Sequence, residues 1–305
     1  MSATDRQDRS GQPIADVEAL QRHVNGEGRR QSTSPEDPGL LRSNDLEVLQ
    51  SIHHLGSLGR FATLRNRSAI GRLVREGFLT LDGMLDTAGE DFMGPVANAE
   101  DVLALRGQCG AERTLMQSWL AGAQVSTVSG APGADVMAGV VSQSRSRYAV
   151  ALAERDALAS QVCTWAGVRT GPALLAGELL VDEDEFTARV ADPLYPAPDG
   201  SPAALAELWA EPWFVWESTS SALGVNLAFI STQSNGNYVF GADADASRDA
   251  GRLLLRIAPV TARTVWETLW VLSHGGGAAR AGGEVLGVAQ TGTHQLPTPE
   301  MPATR

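Results

Sequence analysis

A shift of 105 residues superposes two strand-to-helix junctions of this chain, and that repeat limits its possible folds more than any other feature. Arg147 falls on Arg252, Leu152 on Ile257, Ala153 on Ala258, Ala157 on Ala262 and Trp165 on Trp270. In each copy an arginine opens a short strand-like segment, and a helix-like segment follows and ends on tryptophan. Two copies of one unit can pair their edge strands into a continuous sheet and so remove edges that otherwise invite aggregation. The expected fold class is therefore α+β, with a central antiparallel sheet flanked by helices and built from pseudo-two-fold halves.

The spacing of apolar residues fills in the two halves. Leu46, Leu49 and Ile52 mark a helix from Asn44 to Leu55 with Asn44 or Ser43 as its cap. Ile70, Leu73 and Val74 mark a second helix from Ser68, stopped by Gly77. A short strand at Phe78–Leu81 runs into the Asp82-Gly83 turn, and a third helix after Asp86 ends at Pro95. Short segments at 102–105, 114–120, 124–128, 136–141 and 148–152, separated by Gly, Pro and Ser, read as a meander of antiparallel strands. The run Cys109 to Gly122 is compatible with helix as well as strand. A helix over 154–165 closes the first half.

The second half repeats this order. Helices are expected over 182–190 and 202–209, and strands over 213–217, 225–231, 238–241 and 253–257. Asn235-Gly236 marks a hairpin between the middle pair of strands. A closing helix over 260–272 presents Val265, Leu269 and Leu272 at helical spacing. Four segments result: a disordered arm (1–40), a first α+β half (41–172), a second α+β half (173–274) and a flexible tail (275–305). The arm and the tail are polar or rich in Gly, Ala, Thr and Pro, and lack the apolar content needed to offset ordering entropy.

Composition narrows the chemistry. All 24 cationic side chains are arginine, because the sequence contains no lysine. That removes Schiff-base chemistry, a phosphate-loop lysine and a lysine general base. With 36 carboxylates the formal charge is −12, so nucleic-acid binding would need a concentrated arginine patch. No stretch reaches the roughly 18 apolar residues of a membrane span, and the polar start lacks a signal-peptide core. Cys109 and Cys163 are too few for a disulfide scaffold and fit a reducing cytoplasm.

No catalytic constellation stands out. His53 and His54 are neighbours that point about 100° apart on a helix, so they read as a C-terminal pair suited to the helix dipole. The remaining histidines, His23, His274 and His294, lie at or beyond the tail boundaries. Asp182-Glu183-Asp184-Glu185 is a solvated helix start. The run Asp243 to Asp249 imitates the first half of a calcium loop, but Arg248 stands where glycine is needed and Leu254 where glutamate is needed. It reads as a polar inter-strand loop. No cofactor, metal or catalytic residue is assigned. Trp209, Trp213, Phe214, Trp216, Trp266 and Trp270 are expected to pack the sheet against its helices, any exposed member being a partner-binding candidate.

A winged-helix DNA-binding regulator using residues 44–93 is the alternative. The passage Leu73-Val74-Arg75-Glu76-Gly77-Phe78-Leu79-Thr80-Leu81-Asp82-Gly83 has the form of a recognition helix entering a wing, and Arg60, Arg65, Arg67, Arg72 and Arg75 give it a basic lean. That fold needs three helices before the wing, and the sequence pattern marks two.

Several passages together resemble the EspG family, the cytoplasmic chaperones associated with ESX (type VII) secretion in actinobacteria. They are the opening helix Asn44 to Leu55, the helix-to-strand passage Leu73 to Leu79, Leu103-Ala104-Leu105-Arg106-Gly107, and Gly251-Arg252-Leu253-Leu254-Leu255-Arg256-Ile257-Ala258-Pro259 before the closing helix. The resemblance runs over roughly 43–273. A Gly-Arg pair heading the last strand and a proline before the last helix are familiar there, and a lysine-free, alanine- and arginine-rich composition suits a GC-rich genome. The long tails are not part of that pattern. The resemblance implies a sheet shared by two quasi-symmetric halves. It also implies a non-enzymatic, cytoplasmic role in which the chain binds the hydrophobic tip of secreted PPE-type helical partners before export. By position it further implies a partner-contacting strand connection at Ser129-Gly130-Ala131-Pro132-Gly133-Ala134.

Overall fold

The computed structural model describes residues 40–140, 147–171 and 177–275. The arm and tail expected at the two ends therefore lie, but for Leu40 and Gly275, outside the described residues.

Ten strands form one antiparallel sheet among these residues. The first half supplies β1 (Leu40–Leu41), β2 (Asp101–Cys109), β3 (Glu112–Ala121), β4 (Gln124–Ser129) and β5 (Tyr148–Glu154). The second supplies β6 (Leu179–Asp182), β7 (Trp213–Ser220), β8 (Asn226–Thr232), β9 (Asn237–Ala242) and β10 (Leu254–Val260). Their spatial order is β1-β5-β4-β3-β2-β7-β8-β9-β10-β6. Each half is thus a four-strand meander, and the meanders meet where their first strands pair, from Leu103 opposite Ser220 to Gln108 opposite Val215. The pseudo-two-fold reading is correct. Arg147 and Arg252 each stand just before the last strand of a meander, which leads into a closing helix.

Helices cover both faces. On one face lie α5 (Gly133–Met137), α6 (Leu158–Ala166) and α10 (Ala262–His274). They share a core with Leu103, Leu105, Met116, Val125, Phe214, Trp216 and Phe229 of the sheet. On the other face, α1 (Ser43–Leu55), α3 (Arg67–Arg75) and α4 (Thr87–Ala97) pack on the first half against Trp119 and Val128. There α7 (Glu183–Ala191) and α8 (Ala203–Ala210) cover the second half against Trp213, Val215, Ile230, Tyr238 and Phe240. Strands alternate faces with period two, so each strand can feed both cores. Trp209, Trp213, Phe214 and Trp216 are buried as expected. Each buried aromatic of this size removes roughly 150–250 Å2 from water.

Short polar contacts pin the layers. Ser126 on β4 donates to the Phe92 carbonyl of α4 at 2.6 Å. Buried Asp45 on α1 accepts from the Arg42 backbone N–H and from both Nε and Nη2 of Arg72 on α3. The N-cap of α1 is therefore Arg42, one residue before the expected Ser43 or Asn44, because the Asp45 carboxylate satisfies the Arg42 N–H from inside the helix.

Five further expectations need correction. Residues 136–140 are not a strand, and Val141 lies outside the described residues: Pro132 caps α5 with extended backbone, and the helix runs over Gly133–Met137. The strand at 78–81 shrinks to one bridge, Leu79 to Leu85, around the Asp82-Gly83 turn. Pro95 lies inside α4, which continues to Ala97. The run 243–249 is a helix rather than a loop. Here α9 (Ala244–Ala250) is capped by Asp243, whose carboxylate accepts from the Ala246 N–H at 2.9 Å. An additional short helix, α2 (Arg60–Arg65), sits between the two that were expected before the wing. The ambiguous run after Cys109 is strand β3, paired with β2 from Cys109–Glu112 to Asp101–Leu120.

Candidate functional site

On the α1/α7 face the helical layers reach inward to Trp119 on β3 and to Trp213 and Val215 on β7, and two cross-strand rows between them stay only partly covered. These rows form the floor. One runs Gln117, Ala104, Thr219, Asn226 and the other Leu115, Arg106, Glu217, Ala228, across β3, β2, β7 and β8. Arg106, Thr219 and Asn226 are exposed, and Gln117, Ala104, Leu115 and Ala228 are half-buried. Glu217 is buried, beside Arg106 on the neighbouring strand. Four strands at about 4.8 Å spacing give a floor roughly 14 Å wide. An α-helix with its side chains is roughly 10 Å across. The strip lies on the pseudo-two-fold seam, and its floor is mixed in polarity rather than uniformly apolar.

None of these residues stands out in the sequence as a site. Their signal is nonetheless present in β2: Leu103 and Leu105 alternate with Ala104 and Arg106, which marks one face as core and the other as unfinished.

The loop expected to contact a partner, Ser129 to Ala134, lies on the opposite face. Ser129 ends β4 opposite Met116. The Gly130 N–H donates to the Leu115 carbonyl at 2.7 Å, and the Thr114 hydroxyl donates to the Ala131 carbonyl at 2.8 Å. Gly133 is buried against the Phe214 ring, where a Cβ would come within 2.5 Å of Cδ1. Gly107 on β2 meets the same ring from another side, at 2.1 Å from Cζ. Two glycines thus admit one phenylalanine, which also meets Trp165 edge-on at 5.5 Å. The six residues are brought together, but Pro132 alone among them is exposed; Ser129, Gly130, Ala131 and Ala134 are half-buried.

Polar residues elsewhere serve the fold. Burial pushes the Asp101 carboxyl up, but hydrogen bonds from Ala222 N–H, Ser220, Ser221 and Val102 N–H outweigh it and hold the group below the usual carboxylate range. Asp243 is also held low, by the Ala246 N–H and by Arg256. Asp182 caps α7 and pairs with Arg252 at 3.0 Å. Arg189 is buried, donating to the Trp209 and Glu211 carbonyls and lying 4.7 Å over the Trp213 ring. Burial raises both thiols, Cys163 to about 12; at Cys109 it is opposed by the Arg189 charge and by a hydrogen bond from the Trp213 backbone. Among the described residues no group of three or more His, Cys, Asp or Glu is arranged to hold a metal ion. No described helix is long and apolar enough to cross a membrane.

His53 and His54 occupy the last turn of α1, as expected. His274 closes α10, stacked on Trp270 at 4.1 Å and bonded through Nε2 to Asp156 at 2.8 Å. In the helical layer over the first half, α2 supplies the third helix that a winged-helix reading needs, while Arg72 is engaged with Asp45. Compared with family models and with curated proteins, the chain matches none.

Proposed function

We propose that this protein is a non-enzymatic chaperone or adaptor that binds a secreted helical partner in the cytoplasm, in the manner of EspG-type proteins and their PPE-type cargo in type VII secretion. The observation that carries the reading is the partly open strip of sheet on the seam between the two helical layers. Its floor is built equally from both halves, and its four strands are wide enough to seat one helix. Mixed polarity suits a chaperone that must stay soluble when empty and release its cargo. The net charge of −12 acts in the same direction.

Co-expression with a candidate helical partner tests this. A one-to-one complex, lost on Arg106→Glu or on filling the floor with Ala104→Trp, is the expected result. A partner that is stable and monodisperse without this protein, or a complex indifferent to both substitutions, counts against it. A second reading, a winged-helix regulator using 44–93, gains one observation: α2 completes a three-helix order before the Leu79–Leu85 turn. Salt-sensitive binding of duplex DNA, lost on replacing Arg65 and Arg67, is its test.

A further inference from the structure

Residues 48–75 contain no aspartate or glutamate, in a chain that carries 36 acidic residues. The same stretch holds Arg60, Arg65, Arg67, Arg72 and Arg75, with His53 and His54. Arg72 is bound to Asp45, whereas Arg60, Arg65, Arg67 and Arg75 are exposed. The molecule therefore keeps a basic region of opposite sign to its overall charge.

Out of this region projects α2, none of whose residues is buried. Phe61 is 91% exposed and Leu64 72%, one helical turn apart, with Leu55 at the end of α1 67% exposed. Single exposed apolar side chains such as Leu81 and Leu194 are ordinary, whereas Phe61 and Leu64 stand together on one short helix amid arginines and so mark a contact surface. The shape is a tip, not a socket. The hollow beside α2 is lined by Asn44, Glu47, Val48, Ser51, Arg65 and Asn66, so it offers little apolar wall to a partner's anchor residue. A DNA duplex would satisfy the arginines and leave Phe61 and Leu64 in water. A bilayer with anionic headgroups satisfies both, because the acyl boundary takes the apolar tip while the phosphates face the arginines around it.

We propose that α2 and its flanks form a peripheral membrane contact. Phe61 and Leu64 enter the interface of an anionic lipid surface, and Arg60, Arg65 and Arg67 face its headgroups. The inference stands apart from the chaperone reading, so a vesicle result leaves that reading unaffected.

Sedimentation of the full chain with vesicles is the test, comparing phosphatidylcholine alone with phosphatidylcholine containing phosphatidylglycerol. The chain is expected to sediment with the anionic vesicles, and to be released as salt rises. Arg65→Gln and Arg67→Gln should each weaken partitioning about fivefold, the equivalent of about 1 kcal/mol per charge. The exposed pair Phe61→Ser with Leu64→Ser should weaken it by about tenfold or more. Unchanged circular dichroism of that variant would show that the fold is intact. Equal sedimentation with neutral vesicles overturns the proposal, as does binding that ignores Phe61 and Leu64, or no binding to anionic vesicles. Displacement from vesicles by duplex DNA that requires the same arginines assigns the surface to nucleic acid instead.

Discussion

Trp266 on α10 donates its indole N–H to the hydroxyl of Ser160 on α6 at 3.0 Å, joining the closing helices of the two halves. The same two helices bury Val162, Val265, Leu269 and Leu272 in one core. Trp266→Phe keeps part of the ring but loses the bond, and should cost roughly 1 kcal/mol in urea denaturation. Ser160→Ala should cost a similar amount. The double variant should cost little more than either, and strictly additive losses would show that the bond contributes nothing.

Phe214 sits between Gly107 and Gly133, so the space on either side of the ring is set by hydrogen atoms. Gly133→Ala should destabilise by roughly 1–3 kcal/mol through overpacking. Phe214→Ala removes the ring atoms that clash. Their combination should be more stable than the sum of the two single losses, and thermal melts of the three variants decide it.

Asp45 is fully buried and its charge is met by Arg72. Arg72→Gln leaves that carboxylate without its cation and should cost roughly 2–3 kcal/mol, the guanidinium being partly in water. Arg75→Gln, on the exposed side of α3, should change stability by less than about 0.5 kcal/mol. Equal effects of the two substitutions would remove Asp45 as the anchor of this layer.

The Asp101 carboxyl is held below its unfolded value of about 3.9. A depressed folded value means that its contribution is present above that pH and lost as pH falls through the folded value. Asp101→Asn should therefore lower stability at neutral pH and flatten the acid limb of a stability–pH curve below about pH 4. A limb as steep as in the parent protein would place the acid sensitivity elsewhere.

Both thiols are buried and raised by burial, Cys163 to about 12. Alkylation near pH 8 should be slow in the folded protein and fast in denaturant. Rapid modification of either thiol in the folded state would mean that the α6 or β2 region opens far more readily than its packing implies.

Periodicity and punctuation decide how much of this fold is legible in the sequence. The meanders show because their strands are short and broken by turn residues, as at Asn235-Gly236, and because β2 alternates Leu103 and Leu105 with Ala104 and Arg106. The junction repeat survives at Arg147 and Arg252, and on the tryptophans near the ends of α6 and α10. Those tryptophans have nevertheless diverged: Trp165 is buried against Phe214, and Trp270 is 37% exposed over His274. The elements that escape are local and short. Helix α5 spans five residues after a proline, too few for a helical period to register against the valines that follow. Helix α9 hides because its cap, Asp243, and its exposed acids resemble ligands in the sequence alone. The seam strip is illegible for a different reason. Which polar face of a sheet stays uncovered is decided by where distant helices land, and no single strand records that.

The pairing of β2 with β7 has the form of a subunit boundary kept inside one polypeptide. In a homodimer a substitution at such a boundary strikes both sides at once, and a change that suits one side must suit the other. Fusion releases that constraint. One flank can keep Trp119 under its own helices while the other takes Trp213 and a different pair, so the two sides of the seam are free to diverge in shape and charge.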